Sequence, residues 1–222
     1  MQPYLNIHTH SRDFQQEKPA LCNIFVQDYP EYDFHNHGLY SAGLHPWHIP
    51  EGDFDESLIA IAASAAQDER ILAIGECGLD RAVSTPLTLQ MQYLLPQLSI
   101  AEESSKPVIL HCVRTVPEII SIRKKNRFSM PYILHGFTGN IQTAEQLIKH
   151  GIYLSFGKFL FRDESPVRDV FRTVDKNMIF LESDDTGIPI EDVYGMASSL
   201  ASVPVEELKS IVWNNFHSVF NR

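Results

Sequence analysis

The chain has 222 residues, of which 44% are hydrophobic and 21% charged, so it suits a single globular domain over residues 1–222 and excludes a disordered or low-complexity protein. Its formal net charge of −10 argues against a broad basic surface for non-specific nucleic-acid binding. Cys22, Cys77 and Cys112 form neither an even set nor a CxxC pair, so free thiols in a reducing compartment are expected. The sequence shows no signal-peptide pattern and no long apolar span, which predicts a cytoplasmic protein without a membrane or an obligate protein partner.

Short apolar runs alternate with helical stretches along the chain, which is the pattern of repeated β–α units. The predicted strands are Tyr4 to His8, Ala20 to Val26, Leu39 to Leu44, Ile71 to Gly75, Pro107 to His111, Tyr132 to His135, Ile152 to Phe156 and Met178 to Glu182. The predicted helices are Phe54 to Glu69, Pro86 to Ser105, Val116 to Lys125, Ile141 to His150, Val167 to Asp175, Glu191 to Leu200 and Pro204 to Asn215.

Eight strands joined by crossover helices predict an α/β fold, a small TIM (β/α)8 barrel, because strands connected through helices run parallel. Between the second and third strands, residues 27–38 show little helical period, so one helix is expected to be shortened or lost. An open, doubly wound sheet is the main alternative.

Histidines and carboxylates follow several of the predicted strands. His8 and His10 stand two apart after the first strand, and alternate residues of a strand face the same way. Glu76 follows an apolar strand and is flanked by glycines that allow close approach of the backbone. His111 and His135 each end a strand and each stand four residues after a proline, and the last strand leads to Asp184. Because active sites of parallel barrels lie at the carboxyl ends of the strands, these six side chains are expected to converge.

Four imidazoles and two carboxylates suit divalent metal ions such as Mg, Mn or Zn. Two ions fit best: with Glu76 bridging, one ion takes His8, His10 and Asp184, and the other takes His111 and His135. Such a pair can activate water at neutral pH, which predicts a hydrolase. Asp184 would orient the water or accept its proton.

Other basic side chains divide by their position relative to a strand. His45 follows the third strand and Arg114 the fifth, so both are predicted to contact the substrate. Lys158 and Arg162 also lie past a strand end, where they could meet an anion or remain solvated. The second HxH pair, at residues 35 and 37, precedes its strand, and a metal role is not expected there.

Six motifs in order, HTH, GLHPWH, GECGLD, PVILHC, LHGFTG and LESD, resemble the TatD-like metal-dependent deoxyribonucleases over almost the whole chain. The resemblance implies an amidohydrolase-type TIM barrel with two divalent metal ions. It implies the same ligands, residue by residue, with Glu76 bridging, and cleavage of DNA phosphodiester bonds by activated water.

The chain departs from this pattern around the ligands. Asn6 replaces the usual aspartate, Arg114 stands one position later than usual, and Asp185 adds a carboxylate. The chain is also short for the family, which leaves a smaller rim to contact DNA. An ester, lactone or amide hydrolase, including one for aminoacyl esters, is therefore the alternative, and a non-catalytic metal-binding protein is a third.

Overall fold

The computed structural model describes residues 2–13, 15, 18–36 and 38–220. The strands are β1 (Asn6–Thr9), β2 (Ala20–Phe25), β3 (Leu39–Gly43), β4 (Ile71–Asp80), β5 (Val108–Val113), β6 (Tyr132–Leu134), β7 (Ile152–Phe156) and β8 (Ile179–Leu181). The α-helices are α1 (Glu56–Gln67), α2 (Leu87–Glu103), α3 (Val116–Asn126), α4 (Ile141–Lys149), α5 (Pro166–Thr173), α6 (Ile190–Ala201) and α7 (Val205–Phe220).

The strands follow one another in chain order in a single eight-stranded sheet. Thr9, the last residue of β1, also pairs in parallel with Asp184, which lies just after β8. Sequential parallel strands joined by helices give the connectivity of a (β/α)8 barrel, which confirms the predicted fold class and excludes the doubly wound alternative. Between β2 and β3 the described residues form only a 3-10 turn, Tyr29–Glu31, so the predicted loss of a helix is confirmed.

All eight predicted strands and seven predicted helices are present, with shifted ends. The largest differences are in α7, which continues five residues beyond its predicted end at Asn215, to Phe220, and in β4, which continues five residues beyond its predicted end at Gly75, to Asp80. Every residue of β4 is buried, although the second half carries Glu76, Gly78 and Asp80. Its length was missed because the polar and glycine residues that end the apolar run belong to the functional part of the strand.

The contacts divide the chain into two compact units, each built around its own buried apolar side chains. The first unit comprises Met1–Cys22, His35–Gly38 and Leu134–Arg222, and the second comprises Asn23–Phe34 and Leu39–Ile133. The single domain over residues 1–222 stays a prediction. In the described residues, no helix has the length and apolar character needed to cross a membrane.

Local sequence explains how several helices begin. Asp55 and Asn140 cap α1 and α4, because their side chains accept hydrogen bonds from the backbone N–H groups of Ser57 and Thr143. Ser165 caps α5 in the same way, and Pro166 occupies the first position of that helix. These caps fix where the loops that follow β6 and β7 give way to helix.

Candidate metal centre

In the first unit, β1 and β8 carry three of the predicted ligands to one place. The backbone N–H of Asp184 donates to His8 O over 3.1 Å, and that of His10 donates to Asp184 O over 3.3 Å. This pairing sets the side chains facing one another, with His8 Nε2 and His10 Nε2 each 3.8 Å from Asp184 Oδ1. Because His8 is fully buried, its imidazole faces the carboxylate in a site from which solvent is largely excluded.

His135 joins the same cluster from the end of β6. Its ring centroid lies 4.4 Å from that of His8, and His8, His135 and Asp184 each offer a ligand atom within 4.8 Å of the others. His135 Nδ1 lies 3.5 Å from the Oε1 atom of Glu182, whose oxygen accepts the Gly136 N–H over 2.7 Å. A buried carboxylate that faces one ring nitrogen orients the other nitrogen toward a metal, so Glu182 is suited to position His135.

Lys158 supplies positive charge to this cluster. Its Nζ donates to Asp184 Oδ2 over 3.1 Å and lies 3.5 Å from Asp185 Oδ1. Burial raises the pKa of Asp184, but His135, His8 and Lys158 lower it by more, so its pKa lies below the ordinary value. Asp184 is therefore a carboxylate at neutral pH, with one oxygen toward Lys158 and the other toward the histidines.

A cavity of about 600 Å³ opens beside His10 and Asp184 within the first unit. Its charged lining is mainly acidic, with Asp13, Asp185 and Glu191 beside Asp184, while Lys18 pairs with Glu191 at 2.7 Å. A volume of this size falls in the range of small-molecule pockets. The excess of carboxylates favours a neutral or cationic group in this cavity over a polyanion.

The second unit holds Glu76 and His111 on neighbouring strands. Gly78 of β4 pairs with His111 of β5, and a Cβ atom at Gly78 would lie 1.9 Å from the carbonyl oxygen of His111, so only glycine permits this approach. Glu76 is buried, its N–H donates to the Asn23 side chain, and its Oε1 lies 2.8 Å from His111 Nδ1. The predicted glutamate and one predicted histidine are therefore direct neighbours.

His45 contacts the same carboxylate oxygen. His45 Nε2 lies 3.0 Å from Glu76 Oε1, and His45 Nδ1 accepts the backbone N–H of Trp47 over 3.0 Å. Because a neutral imidazole that accepts at Nδ1 carries its proton on Nε2, His45 donates to Glu76. This geometry suits a residue that orients Glu76, and the predicted contact of His45 with substrate stays a prediction.

Asp80 at the end of β4 completes the second cluster. Its Oδ2 lies 3.0 Å from His111 Nε2 and accepts the indole N–H of Trp47 over 2.7 Å, while its Oδ1 accepts the N–H of Ala82. Burial raises the pKa of Asp80, but these hydrogen bonds lower it by more, so its pKa lies below the ordinary value. As an ionised carboxylate, Asp80 can hold the Nε2 proton of His111 and leave Nδ1 to a metal.

Each unit brings together part of the predicted ligand set. The first unit unites His8, His10, His135 and Asp184, and the second unites Glu76 and His111. The convergence of all six residues on a metal pair stays a prediction, as does the role of each.

Arg114 is exposed with a positive φ of 56°, and no ion pair to it is found among the described residues. His35 is exposed before β3, and residue 37 lies outside the described residues.

Sequence patterns did not single out Asp80, Glu182 or Trp47. Asp80 lies four residues after Glu76 on the same strand, so its side chain shares a face with Glu76, and recognising the full length of β4 would have found it. Glu182 directly follows β8, and strand alternation does not extend from it to Asp184, which has a positive φ of 53°. Trp47 shows no comparable signal, because its role depends on a hydrogen bond to a residue 33 positions away.

A family model described as TatD related DNase matches residues 29–221. An uncharacterized metal-dependent hydrolase of Escherichia coli (strain K12), YcfH, is 30% identical over 82% of this chain and 74% of its own length. A 3'-5' ssDNA/RNA exonuclease TatD of Pectobacterium parmentieri is 35% identical over 58% of this chain and 48% of its own length. The crystal structure of YjjV, a TatD homolog from Escherichia coli, matches with a TM-score of 0.84 over 99% of this chain and 98% of its own, at 22% identity. That likeness shows the fold.

Proposed function

This chain belongs to the TatD related DNase family, and on that premise we propose that it is a divalent-metal-dependent hydrolase that cleaves phosphodiester bonds in DNA. The name of the Pectobacterium relative supports nucleic acid as the substrate, since that protein is called an ssDNA/RNA exonuclease. The names of the other relatives support metal dependence.

The observation that carries the proposal is the spacing of the donor atoms in the first unit. A metal–nitrogen or metal–oxygen bond of this kind measures about 2.0–2.2 Å. Asp184 Oδ1 lies 3.8 Å from His8 Nε2 and 3.8 Å from His10 Nε2. This distance is too long for a hydrogen bond, but it is shorter than the sum of two such metal bonds. Each histidine can therefore share an ion with the aspartate, and His8, His135 and Asp184, whose ligand atoms lie within 4.8 Å of one another, form a donor set that fits a divalent metal.

The second unit offers two further metal donors. We assign Glu76 and His111 as ligands there, with Asp80 holding the proton on His111 Nε2 and His45 donating to Glu76. Metal ions bound by these donors would supply Lewis-acid activation of water and stabilise charge on the phosphoryl group. We assign to Asp184, ionised and held by Lys158, the role of accepting the proton that water gives up.

The acidic cavity beside His10 and Asp184 favours a second candidate function. A pocket that carries Asp13, Asp185 and Glu191 suits a neutral or cationic substituent, as an aminoacyl ester has. Hydrolysis of a carboxylic ester, lactone or amide by the same ligands is therefore the alternative.

The test is a substrate panel with metal-loaded protein, in which metal content is measured before each assay. The panel contains single- and double-stranded DNA, RNA, carboxylic esters, lactones and aminoacyl esters, each with Mg²⁺, Mn²⁺ or Zn²⁺. We expect cleavage of DNA, and a loss of about 1,000-fold or more in Glu76→Ala, because the metal ligand disappears. Glu103→Gln removes an exposed carboxylate of α2 and serves as the control, with unchanged activity.

Two results would decide against the nuclease. Fully loaded protein that cleaves no DNA with any of the ions contradicts it. Efficient hydrolysis of an aminoacyl or carboxylic ester by the same preparation, abolished in Glu76→Ala, establishes the alternative instead.

A further inference from the structure

Trp47 presents an aromatic ring to solvent beside the second donor cluster. It is 64% exposed, whereas the other exposed large hydrophobic side chains among the described residues, Ile141 and Phe161, are 38% and 36% exposed. Indole rings usually bury most of their surface, since this burial is favourable. Packing in the core therefore does not explain why a tryptophan stands at this position.

The exposed ring is held in place from below. Its Nε1 donates to the buried carboxylate of Asp80 over 2.7 Å, and its backbone N–H donates to His45 Nδ1. The ring meets the imidazoles of His45 and His111 edge to face, with centroids 5.0 Å and 5.9 Å away. These contacts fix one edge of the indole and leave the rest of the ring accessible, so a flat ligand meets a platform that is already ordered.

The next residue repeats the arrangement. His48 is exposed on the same 3-10 turn, Pro46–His48, and its ring is stacked on Phe25 with centroids 4.2 Å apart. Two adjacent exposed rings are thus each supported by neighbouring rings, and both contact the buried His45 edge to face. Ordered aromatic faces beside a hydrolytic centre are typical of sites that bind nucleobases by stacking.

From this geometry we infer that Trp47 is the platform on which an unpaired base of the substrate stacks, which makes a single-stranded or frayed DNA end the preferred substrate. The inference rests on the proposed nuclease function. A paired base inside a duplex can meet the indole only by leaving its partner and its stacked neighbours, whereas an unpaired base turns onto Trp47 without that cost. The contact is with the π-face and therefore tolerates any base.

Fluorescence tests the contact directly, because the chain has only two tryptophans, Trp47 and Trp213. Trp213→Phe leaves Trp47 as the sole indole; the replaced ring lies on α7, where it donates to Pro3 O. The probes are a phosphorothioate thymidine decamer, which resists cleavage, and a decamer of the same backbone with tetrahydrofuran abasic sites. We expect the thymidine decamer to quench Trp47 in metal-loaded protein and the abasic decamer not to. Equal quenching by both would overturn the inference.

Kinetics separate stacking from the hydrogen bond to Asp80. Loss of the indole N–H affects both decamers equally, whereas loss of stacking affects only the decamer that carries bases. With cleavable phosphodiester decamers, we expect a preference for the base-bearing strand of about 5- to 150-fold in kcat/KM, the range of one stacked base. Trp47→Ala should reduce this ratio at least about fivefold and Trp47→Phe should keep most of it. An unchanged ratio in Trp47→Ala would overturn the inference.

The two proposals fail in different ways. If loaded wild-type protein cleaves the strands, while Trp47→Ala and wild type show the same base preference, the nuclease stands and the stacking platform is wrong. If loaded protein cleaves neither strand, the nuclease is wrong, and the fluorescence still decides the role of Trp47: selective quenching by the base-bearing decamer supports the platform, and its absence overturns it.

Discussion

At the scale of single residues, the carboxylate of Asp80 is the shared hydrogen-bond partner of the second cluster. Donors reach it from Trp47, Ala82 and His111, and it is 1% exposed. A carboxylate accepts hydrogen bonds only, so with a metal on Glu76 and on His111 Nδ1, Asp80 would hold the remaining His111 proton on Nε2. The indole that we assign to substrate binding is tied to the same group, which links the platform to the metal ligand.

Asp80→Asn should weaken metal binding about 10- to 100-fold, as is usual when the partner of a metal-bound histidine is replaced. The amide cannot accept from His111, Trp47 and Ala82 as the carboxylate does. Affinity is measured by competition with a chromogenic chelator, and activity should recover at high metal concentration.

The control for this change is Asp55→Asn, which alters a carboxylate that caps α1. Asparagine caps helices about as well as aspartate, so both stability and metal affinity should be unchanged. Wild-type metal affinity in Asp80→Asn would show that His111 either does not bind metal or needs no orientation.

His8, His111 and His135, which we propose as metal ligands, were predictable because each ends an apolar run, and a run that ends in histidine marks the carboxyl end of its strand. Positioning residues are harder to find. Asp80 could have been inferred from strand alternation, once β4 was given its full length, whereas Glu182 lies just beyond the end of β8. The direction of the hydrogen bond from His45 to Glu76 needed coordinates, because it depends on the backbone N–H of Trp47.

At the scale of elements, α2 does more than cover the sheet. Two buried glutamines, seven residues apart and hence on one helix face, bind the backbone where strands end. Gln97 accepts the N–H of Leu44 over 2.7 Å, and Gln90 accepts the N–H of Asp80 over 2.7 Å. Side-chain amides thus replace a neighbouring strand at the points where His45 and Asp80 leave the sheet.

Gln97→Leu should lower the free energy of unfolding by about 2–3 kcal/mol, because the buried N–H and C=O of Leu44 lose their partner. Urea denaturation followed by circular dichroism measures the change. Gln92→Leu, at an exposed position of the same helix, should change stability by no more than about 0.5 kcal/mol. A loss below about 1 kcal/mol in Gln97→Leu would mean that water satisfies the Leu44 backbone instead.

Helix positions could be predicted because capping residues and apolar periodicity are local signals. The role of α2 could not, since glutamine on a helix is usually solvated and its burial here follows from contacts with residues 10 and 53 positions away. β4 was predicted too short for a related reason: its polar half is buried against groups that lie far along the chain.

At the scale of the whole molecule, the order of strands and helices was the most predictable feature, because each β–α unit is encoded locally and parallel connections leave few topologies. The division of contacts into two units, with part of the predicted ligand set in each, was not visible in the sequence.

Charge is the other property of the whole molecule, and it constrains the substrate more than the fold. With 18 basic and 28 acidic side chains, the surface cannot neutralise a long run of phosphates.

This balance predicts how cleavage depends on salt and on strand length. Each phosphate of a single strand that Lys or Arg neutralises contributes about −0.7 to the slope of log affinity against log salt. We expect a slope no steeper than about −1.5, two such contacts, because metal ligands and Trp47 supply the binding instead. The measurement is KM for thymidine strands of increasing length in rising KCl at constant divalent metal, and KM should stop falling after the first few nucleotides.

Arg114→Met should make the slope shallower by about 0.7 if Arg114 contacts a phosphate, whereas Lys149→Met, an equal charge change on exposed α4, should not. A slope steeper than about −3, with affinity that keeps rising with length, would instead require a basic groove and a substrate held along its strand rather than at its end.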